Sequence, residues 1–351
     1  MMEKKRALKL LGISIAGMMA ALALVVWIAD PFYQYHAPWG NKEPVLYDRD
    51  HQVVGTIRTL SYDSVLLGSS VAENFNTDFL EQQYGGEILK IIRASGSAAD
   101  LLYYLKLAHE QQELKNVFWC MDIFALTGST QVTLYEEGVP RYLHTETILD
   151  DYTYLFNKDI LFMKLPLSIA YGMLGKNIGG RAYDWSEDKQ FGTEQAMRAY
   201  KKPVQNAEYE MTEEEKELIQ ANIDMVIKEI DKHPQIEYTV LFPPYSMLWW
   251  DSGYVNVISE KYFYVLEQVL PRLTKQKNVR VHFFMAEDEI VCNLDYYMDM
   301  LHYSPAINQY MLEELKKDTY HITENMVETT MEQMKGLHDR IVQEEIYQYY
   351  P

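Results

Sequence analysis

The chain has 351 residues, 48% of them apolar and 13% aromatic, enough to bury the core of one large domain or two modest ones. Its formal charge of −19 argues against nucleic acid, whose phosphates are held by Lys and Arg, and against broad docking on an anionic lipid surface. The plainest consequence of the acidity is solubility.

Lys4, Lys5, Arg6 and Lys9 precede an uncharged run from Leu10 to Ala29. Some 20 apolar residues rising about 1.5 Å each span roughly 30 Å, the thickness of a bilayer's hydrocarbon core. Residues 1–30 therefore read as a basic cytoplasmic tip and a transmembrane anchor. Residues 31–351 read as an extracytoplasmic domain of a single-pass cell-membrane protein, because Lys and Arg stay on the cytoplasmic side. Ala21-Leu22-Ala23 offers a rival reading, a cleaved signal peptide. Cutting there would leave Leu24-Val25-Val26-Trp27-Ile28 at the new terminus, which favours the anchor. Trp27, Phe32, Tyr33 and Tyr35 fall where an interfacial aromatic belt would lie.

Residues 31–60 read as an irregular lead-in, broken by Pro31, Pro38, Gly40 and Pro44. A regular alternation follows. Strands are expected at 63–67, 88–92, 116–123, 236–242 and 279–285. Helices are expected at 73–84, 98–114, 212–232, 259–273, 304–316 and 323–348, with Thr212 as an N-cap ahead of Glu213, Glu214 and Glu215. The stretch 127–210, rich in Gly and Tyr, breaks the pattern and reads as an insertion over the top of the sheet. Short, nearly continuous apolar strands alternating with helices predict an α/β fold with a parallel five-stranded sheet covered on both faces. Cys120 lies in an apolar run and reads as a small core residue; a bridge to Cys292 stays open.

Sites in open parallel sheets form beyond the carboxyl ends of the strands. After the first strand comes Gly68-Ser69-Ser70. A serine there points outward at the positive end of a helix, and its N–H can face an oxyanion. The competing reading is an N-cap at Ser69 or Ser70, with Glu73 completing a capping box. After the second strand, Gly96 lets the backbone approach a ligand, or simply makes a turn. After the fifth, Asp299-Met300-Leu301-His302 puts a carboxylate within reach of an imidazole, which it would orient and stabilise as imidazolium; the alternative is a surface Asp and a His capping the next helix. His36 and His51 read as surface residues. Trp185, Tyr183, Tyr142, Tyr152, Tyr245, Trp249 and Trp250 either stack on sugar rings or pack the insertion onto the core. The sequence holds no HExxH, CxxC, P-loop or Rossmann glycine pattern, so no metal or other cofactor is called for.

Taken together, Ser70 after the first strand, Gly96 after the second and Asp299-x-x-His302 before the last sheet-packing helix resemble the SGNH or GDSL hydrolase superfamily, over residues 60–126 and 236–316. The resemblance implies a flavodoxin-like three-layer α/β/α sandwich. It implies Ser70 as nucleophile, His302 as base, Asp299 as orienting acid, and the N–H groups of Ser70 and Gly96 as oxyanion donors. In the third block, where that family carries an Asn, this chain has Asp122. An ionised Asp cannot donate a hydrogen bond, so Asp122 is protonated, turned away, or part of a site with another task. Asp30-Pro31-Phe32-Tyr33 and Glu73-Asn74-Phe75 are similar to membrane-anchored SGNH-like envelope proteins. More distantly they are similar to the D-alanyl-lipoteichoic-acid biosynthesis protein DltD and to alginate O-acetylation proteins; Asn74 thereby joins Gly96 and Asp122 as an oxyanion or substrate candidate. These likenesses imply acyl transfer from an acyl donor to a cell-surface polysaccharide or teichoic-acid-like polymer, with a membrane-bound O-acyltransferase as partner. Two other readings stand beside it: a plain surface esterase, and a non-catalytic anchored adaptor that binds glycan or the membrane partner.

Overall fold

The computed structural model describes residues 2–40, 42–136, 138–145, 147, 150–202 and 209–349. In chain order the first elements are α1 (Met2–Ala29), α2 (Arg49–Thr59), β1 (Ser64–Gly68), α3 (Thr77–Tyr84), β2 (Ile88–Ile92), α4 (Ala98–Gln111), β3 (Asn116–Cys120), α5 (Asp151–Leu155), α6 (Leu165–Leu174) and α7 (Thr193–Ala199). Then come α8 (Glu213–Lys232), β4 (Glu237–Phe242), α9 (Met247–Val255), α10 (Ser259–Leu273), β5 (Val279–Phe283), α11 (Asp288–Val291), α12 (Pro305–Lys317), β6 (His321–Ile322) and α13 (Val327–Gln343). They form two compact units, Met1–Leu60 with Gly138–Gly179, and Ser61–Glu137 with Gly180–Pro351. The stretch 127–210, read from sequence as one insertion, is thus shared between the two, and its residues 203–208 lie outside the described ones.

The second unit holds the sheet. β1 and β2 are buried at every residue, which is why their sequences show no alternation of polar and apolar positions. The strand order is β2-β1-β3-β4-β5-β6. The first five strands run parallel, in register Leu67 to Ile91 and Trp119, Cys120 to Leu241, and Phe242 to Phe283. The expected five-stranded sheet is therefore one strand short: His321 and Ile322 pair antiparallel with His282 and Val281. Two residues carry no periodicity, and they fall in the gap between the helices expected at 304–316 and 323–348. The second of these helices, α13, starts at Val327 instead of 323. Helix α4 packs on α8 and α8 on α10, while α3 packs on α12. Thr212 and Glu215 form the capping box that starts α8, and Ser97 with Asp100 does the same for α4. Cys120, buried, and Cys292 are both free thiols, so no bridge forms.

In the first unit, Lys4–Ala29 is one helix, long and apolar enough to cross a membrane, with Leu10, Ile13, Met18 and Leu24 exposed along it. The aromatic belt is only half right. Trp27 is 41% exposed, but Phe32 and Tyr33 are buried, Phe32 in a cluster with Val26, Leu143, Tyr154 and Ile160. The segment 31–60 is not wholly irregular either, because Val53, Val54 and Ile57 of α2 are buried. His36 bonds the Trp27 carbonyl at 2.9 Å and His51 the Asp48 carboxylate at 2.8 Å, so neither is a plain surface residue.

Asp30 ends α1. Its buried carboxylate accepts the N–H groups of Gln34 (3.0 Å), Tyr35 (2.7 Å) and His36 (3.1 Å) and the Tyr154 hydroxyl (2.8 Å). Truncation leaves these donors without an acceptor, at about 1–3 kcal/mol for each that stays buried. Asp30→Ala is expected to lower the melting temperature of the chain in detergent micelles and to speed amide exchange at residues 34–36, with Asp30→Asn milder. Unchanged melting and exchange in Asp30→Ala would remove this role.

Candidate active site

The order 2-1-3-4-5 reverses direction between β1 and β3, the point where open α/β sheets bind ligands. β1 ends there at Gly68. A Cβ at this position would stand 2.7 Å from the Cβ of Ala72 and 3.1 Å from the Cys120 carbonyl oxygen, so only glycine lets the chain turn so tightly. Ser70 then opens a single 3-10 turn, Ser70–Ala72. The Val71 carbonyl in that turn accepts from the Tyr303 hydroxyl and the Asn308 amide, both at 3.2 Å and both buried. The helix expected at 73–84, directly behind Ser70, starts later: α3 begins at Thr77 and is capped by Asn76. A three-residue turn has almost no macrodipole to lend. The capping alternative fails as well, since Ser69 makes no side-chain cap bond.

Asp299 and His302 sit in a tight turn closed by the bond from Met298 N–H to the His302 carbonyl (3.0 Å). One Asp299 oxygen accepts the N–H groups of Leu301 (2.8 Å) and His302 (2.7 Å). The other meets His302 Nδ1 at 2.8 Å. His302 Nε2 lies 2.8 Å from Ser70 Oγ. The carboxylate accepts a hydrogen bond from Nδ1–H, so the ring proton stays on Nδ1 and Nε2 is left unprotonated to accept the serine hydroxyl. Burial alone would raise the Asp299 pKa, but its bonds to His302, the charge that ring can carry and the two backbone N–H groups hold it below the ordinary carboxylate value. Hydroxyl, imidazole and carboxylate are thus in line, and among the described residues nothing accepts the Ser70 N–H.

The other sequence candidates are placed differently. The Gly96 N–H is donated to the Arg93 carbonyl at 3.0 Å, closing a turn around Ser95, whose φ is +54°, so it is not free for an oxyanion. Asn74 is buried, and its side-chain oxygen accepts the Trp185 N–H (3.3 Å). Asp122 is fully buried and accepts the Tyr245 hydroxyl. Burial pushes its pKa up to about 6, against the pull of the Ser69 and Tyr245 hydroxyls and of charge on His302. It is therefore neither bare nor turned to solvent. Tyr245 and Trp250 are core residues, and Tyr183 is buried.

Two further residues shape the site: Trp185, read from sequence as a sugar-stacking or packing aromatic, and Lys90, which sequence reasoning missed. Trp185 donates its indole N–H to the Ser70 carbonyl (3.3 Å) and stands edge-on to the His302 ring at 5.5 Å. It is a wall of the site, and not only packing. Lys90, in the middle of β2, is completely buried, and its ammonium donates to the carbonyls of Glu73 (2.8 Å), Gly180 (3.2 Å) and Ala182 (2.7 Å). Burial lowers its pKa to about 7, opposed by the charges of Asp184, Glu73 and Asp78. A lysine inside an otherwise apolar strand was the available signal. Gly180 fits against α3 because a Cβ there would stand 2.0 Å from the Asn76 side-chain oxygen. Lys90 and Gly180 together fix the segment that carries Trp185 to the dyad.

No known family's sequence profile matches the chain, and no curated protein matches it. A solved structure, of a provisionally named platelet activating factor from Streptococcus pneumonia, shares 11% identity over 86% of this chain and 99% of that one, with a TM-score of 0.39. That likeness is too low to bear on function.

Lys90→Met strips three buried carbonyls of their donor, at a cost of about 3–5 kcal/mol. The melting temperature should fall, and trypsin should cut faster at Arg181 and Lys189. A variant that melts and digests like the parent would show the staple to be dispensable. Asp122 gives a pH-dependent counterpart. Its folded pKa is raised, so the stability it contributes is present below its ordinary value of 3.8 and is lost as pH rises through about 6. Asp122→Asn, neutral at every pH, should melt higher than the parent at pH 8, by an amount on the order of 3 kcal/mol, and converge with it near pH 4. Equal melting at pH 8 would refute the buried-carboxylate assignment.

Proposed function

We propose that this chain is a membrane-anchored serine esterase or O-acyltransferase of SGNH type, facing outward from the cell membrane and acting on acyl groups of a cell-surface polymer. One observation carries the reading: Ser70 Oγ, His302 and Asp299 stand in hydrogen-bonded line at 2.8 Å and 2.8 Å. The strand order and the two helix sets, α4–α8–α10 and α3–α12, are compatible with the flavodoxin-like three-layer sandwich of that superfamily. Lys4, Lys5, Arg6 and Lys9 at the head of the apolar helix support the outward orientation.

His302 Nε2 takes the hydroxyl proton as Ser70 Oγ attacks an ester or thioester carbonyl. Asp299 stabilises the imidazolium so formed. The Ser70 N–H meets the oxyanion, with the Asn74 amide nitrogen as second donor in place of Gly96. The tetrahedral species collapses to an acyl-serine as His302 returns its proton to the departing alcohol or thiol. A polymer hydroxyl or water, deprotonated by His302, then releases the acyl group. Transfer to a polymer matches a chain held at the membrane beside a membrane-bound O-acyltransferase that supplies the acyl donor. A second reading, an anchored adaptor without catalysis that binds glycan or that partner, is favoured by the engaged Gly96 N–H and by Asp122 in place of an amide donor.

The two separate by labelling. The full chain in detergent micelles should react with a fluorophosphonate probe; Ser70→Ala should abolish the label, and His302→Ala or Asp299→Asn should slow it by roughly 100-fold or more. Equal labelling of parent and Ser70→Ala defeats the nucleophile assignment, and no labelling of the folded parent favours the adaptor.

A further inference from the structure

A second cluster of chemically capable side chains lies at the other end of the sheet. Helix α4 feeds the amino end of β3 and α8 feeds the amino end of β4, whereas the serine–histidine pair stands beyond the carboxyl ends of the strands. In the last turns of these two packed helices, His109 of α4 meets Glu229 of α8 and His233 at the end of α8. One ligand atom from each of the three lies within 4.8 Å of the others.

Several features of this cluster suit a cation. Glu229 is only 3% exposed. One of its oxygens is 2.9 Å from Lys232 Nζ, and the other is 3.5 Å from His233 Nε2. His109 Nε2 is buried and has no hydrogen-bond partner among the described residues. The two imidazole rings lie face to face, with centroids 3.9 Å apart. A buried carboxylate near the carboxyl ends of two helices sits in an unfavourable field, and that field attracts positive charge. Lys232 supplies some of it, but that side chain is 50% exposed and free to swing into water.

We propose that His109, Glu229 and His233 form a zinc site that ties α4 to α8. Two neutral imidazoles and one carboxylate are the donor set that zinc takes in preference to magnesium or calcium. Donors of a tetrahedral zinc, each about 2.0–2.1 Å from the metal, lie about 3.4 Å apart, close to the Glu229–His233 separation. Glu229 and His233, four residues apart on one helix face, form half of the site. A turn of the His109 ring about its soft outer torsion brings its unpartnered nitrogen to the same point, and water completes the shell. The ion replaces Lys232 as the partner of Glu229 and stabilises the fold. It takes no part in chemistry at Ser70, so the site stands or falls independently of the proposed enzymatic function.

The test uses the full chain in detergent micelles, without a polyhistidine tag, after EDTA treatment and desalting. Zinc chloride is added by isothermal titration, and melting is followed with and without it. One saturable equivalent of Zn2+ should bind and raise the melting temperature by several degrees, with no shift from Mg2+ at the same concentration. Glu229→Gln and His109→Asn should each weaken binding at least tenfold and remove the shift, while His302→Ala binds as the parent does. Absence of Zn2+ binding to the folded parent, checked by far-ultraviolet circular dichroism, overturns the site. So does undiminished binding by both variants.

Discussion

The geometry of the candidate site rests on the Asp299 carboxylate. One oxygen folds the turn by accepting the N–H groups of Leu301 and His302, and the other orients the His302 ring. The group that shapes the loop therefore also selects the tautomer that can accept a proton from Ser70. The second demand is that residues 232 positions apart meet at 2.8 Å. The parallel sheet satisfies it by bringing the ends of β1 and the turn before α12 to one rim. Tyr303 and Asn308, which directly follow the His302 turn, reach over to hold the Val71 carbonyl. His302 and Ser70 are thus fastened to each other through backbone as well as through the Oγ–Nε2 bond.

Around this pair the fold spends stability on buried polar groups. A lysine ammonium inside a strand and a carboxylate under a tyrosine are each costly to desolvate. Their partners show why they are tolerated. Lys90 uses all three of its protons on carbonyls from two segments, one just past Ser70 and one leading to Trp185. Trp185 in turn touches both halves of the dyad, the Ser70 carbonyl and the His302 ring. Specific placement of an irregular segment that has no strand or helix ladder of its own requires such a donor cluster, and an apolar residue at position 90 would leave the segment unfixed.

Much of what was legible from sequence followed from periodicity and spacing. Five strands, the Thr212 cap and helix α10 at its span of 259–273 rest on local patterns, whereas the Ser70–Asp299–His302 trio is singled out by the resemblance to SGNH proteins. What failed rested on longer reach. Gly96 sits at the right position after β2, but whether its N–H faces a ligand depends on a turn that donates it to Arg93 instead. Phe32 and Tyr33 carry the composition of an interfacial belt, yet they are buried with residues from 143 to 160. β6 is two residues long and exists only because β5 offers an edge. In each case the missing information was a partner distant along the chain.

Asp122 turns these observations into a choice between chemistries. A hydrolase of this design needs donors aimed at a developing negative charge, and a carboxylate in that position opposes it unless it carries a proton. Its burial raises its pKa to about 6 against the bond from Tyr245, which favours the ionised form, so the site behaves differently on the two sides of that value. Below it, Asp122 is neutral and makes no demand on an oxyanion. Above it, the negative charge penalises the tetrahedral intermediate. An enzyme working through Ser70 would then respond to the ionisation of Asp122. An adaptor that merely holds a ligand against Trp185 has no reason to respond in this way. Asp122, which stands where the SGNH resemblance would place an Asn, is therefore the group whose ionisation separates catalysis from binding.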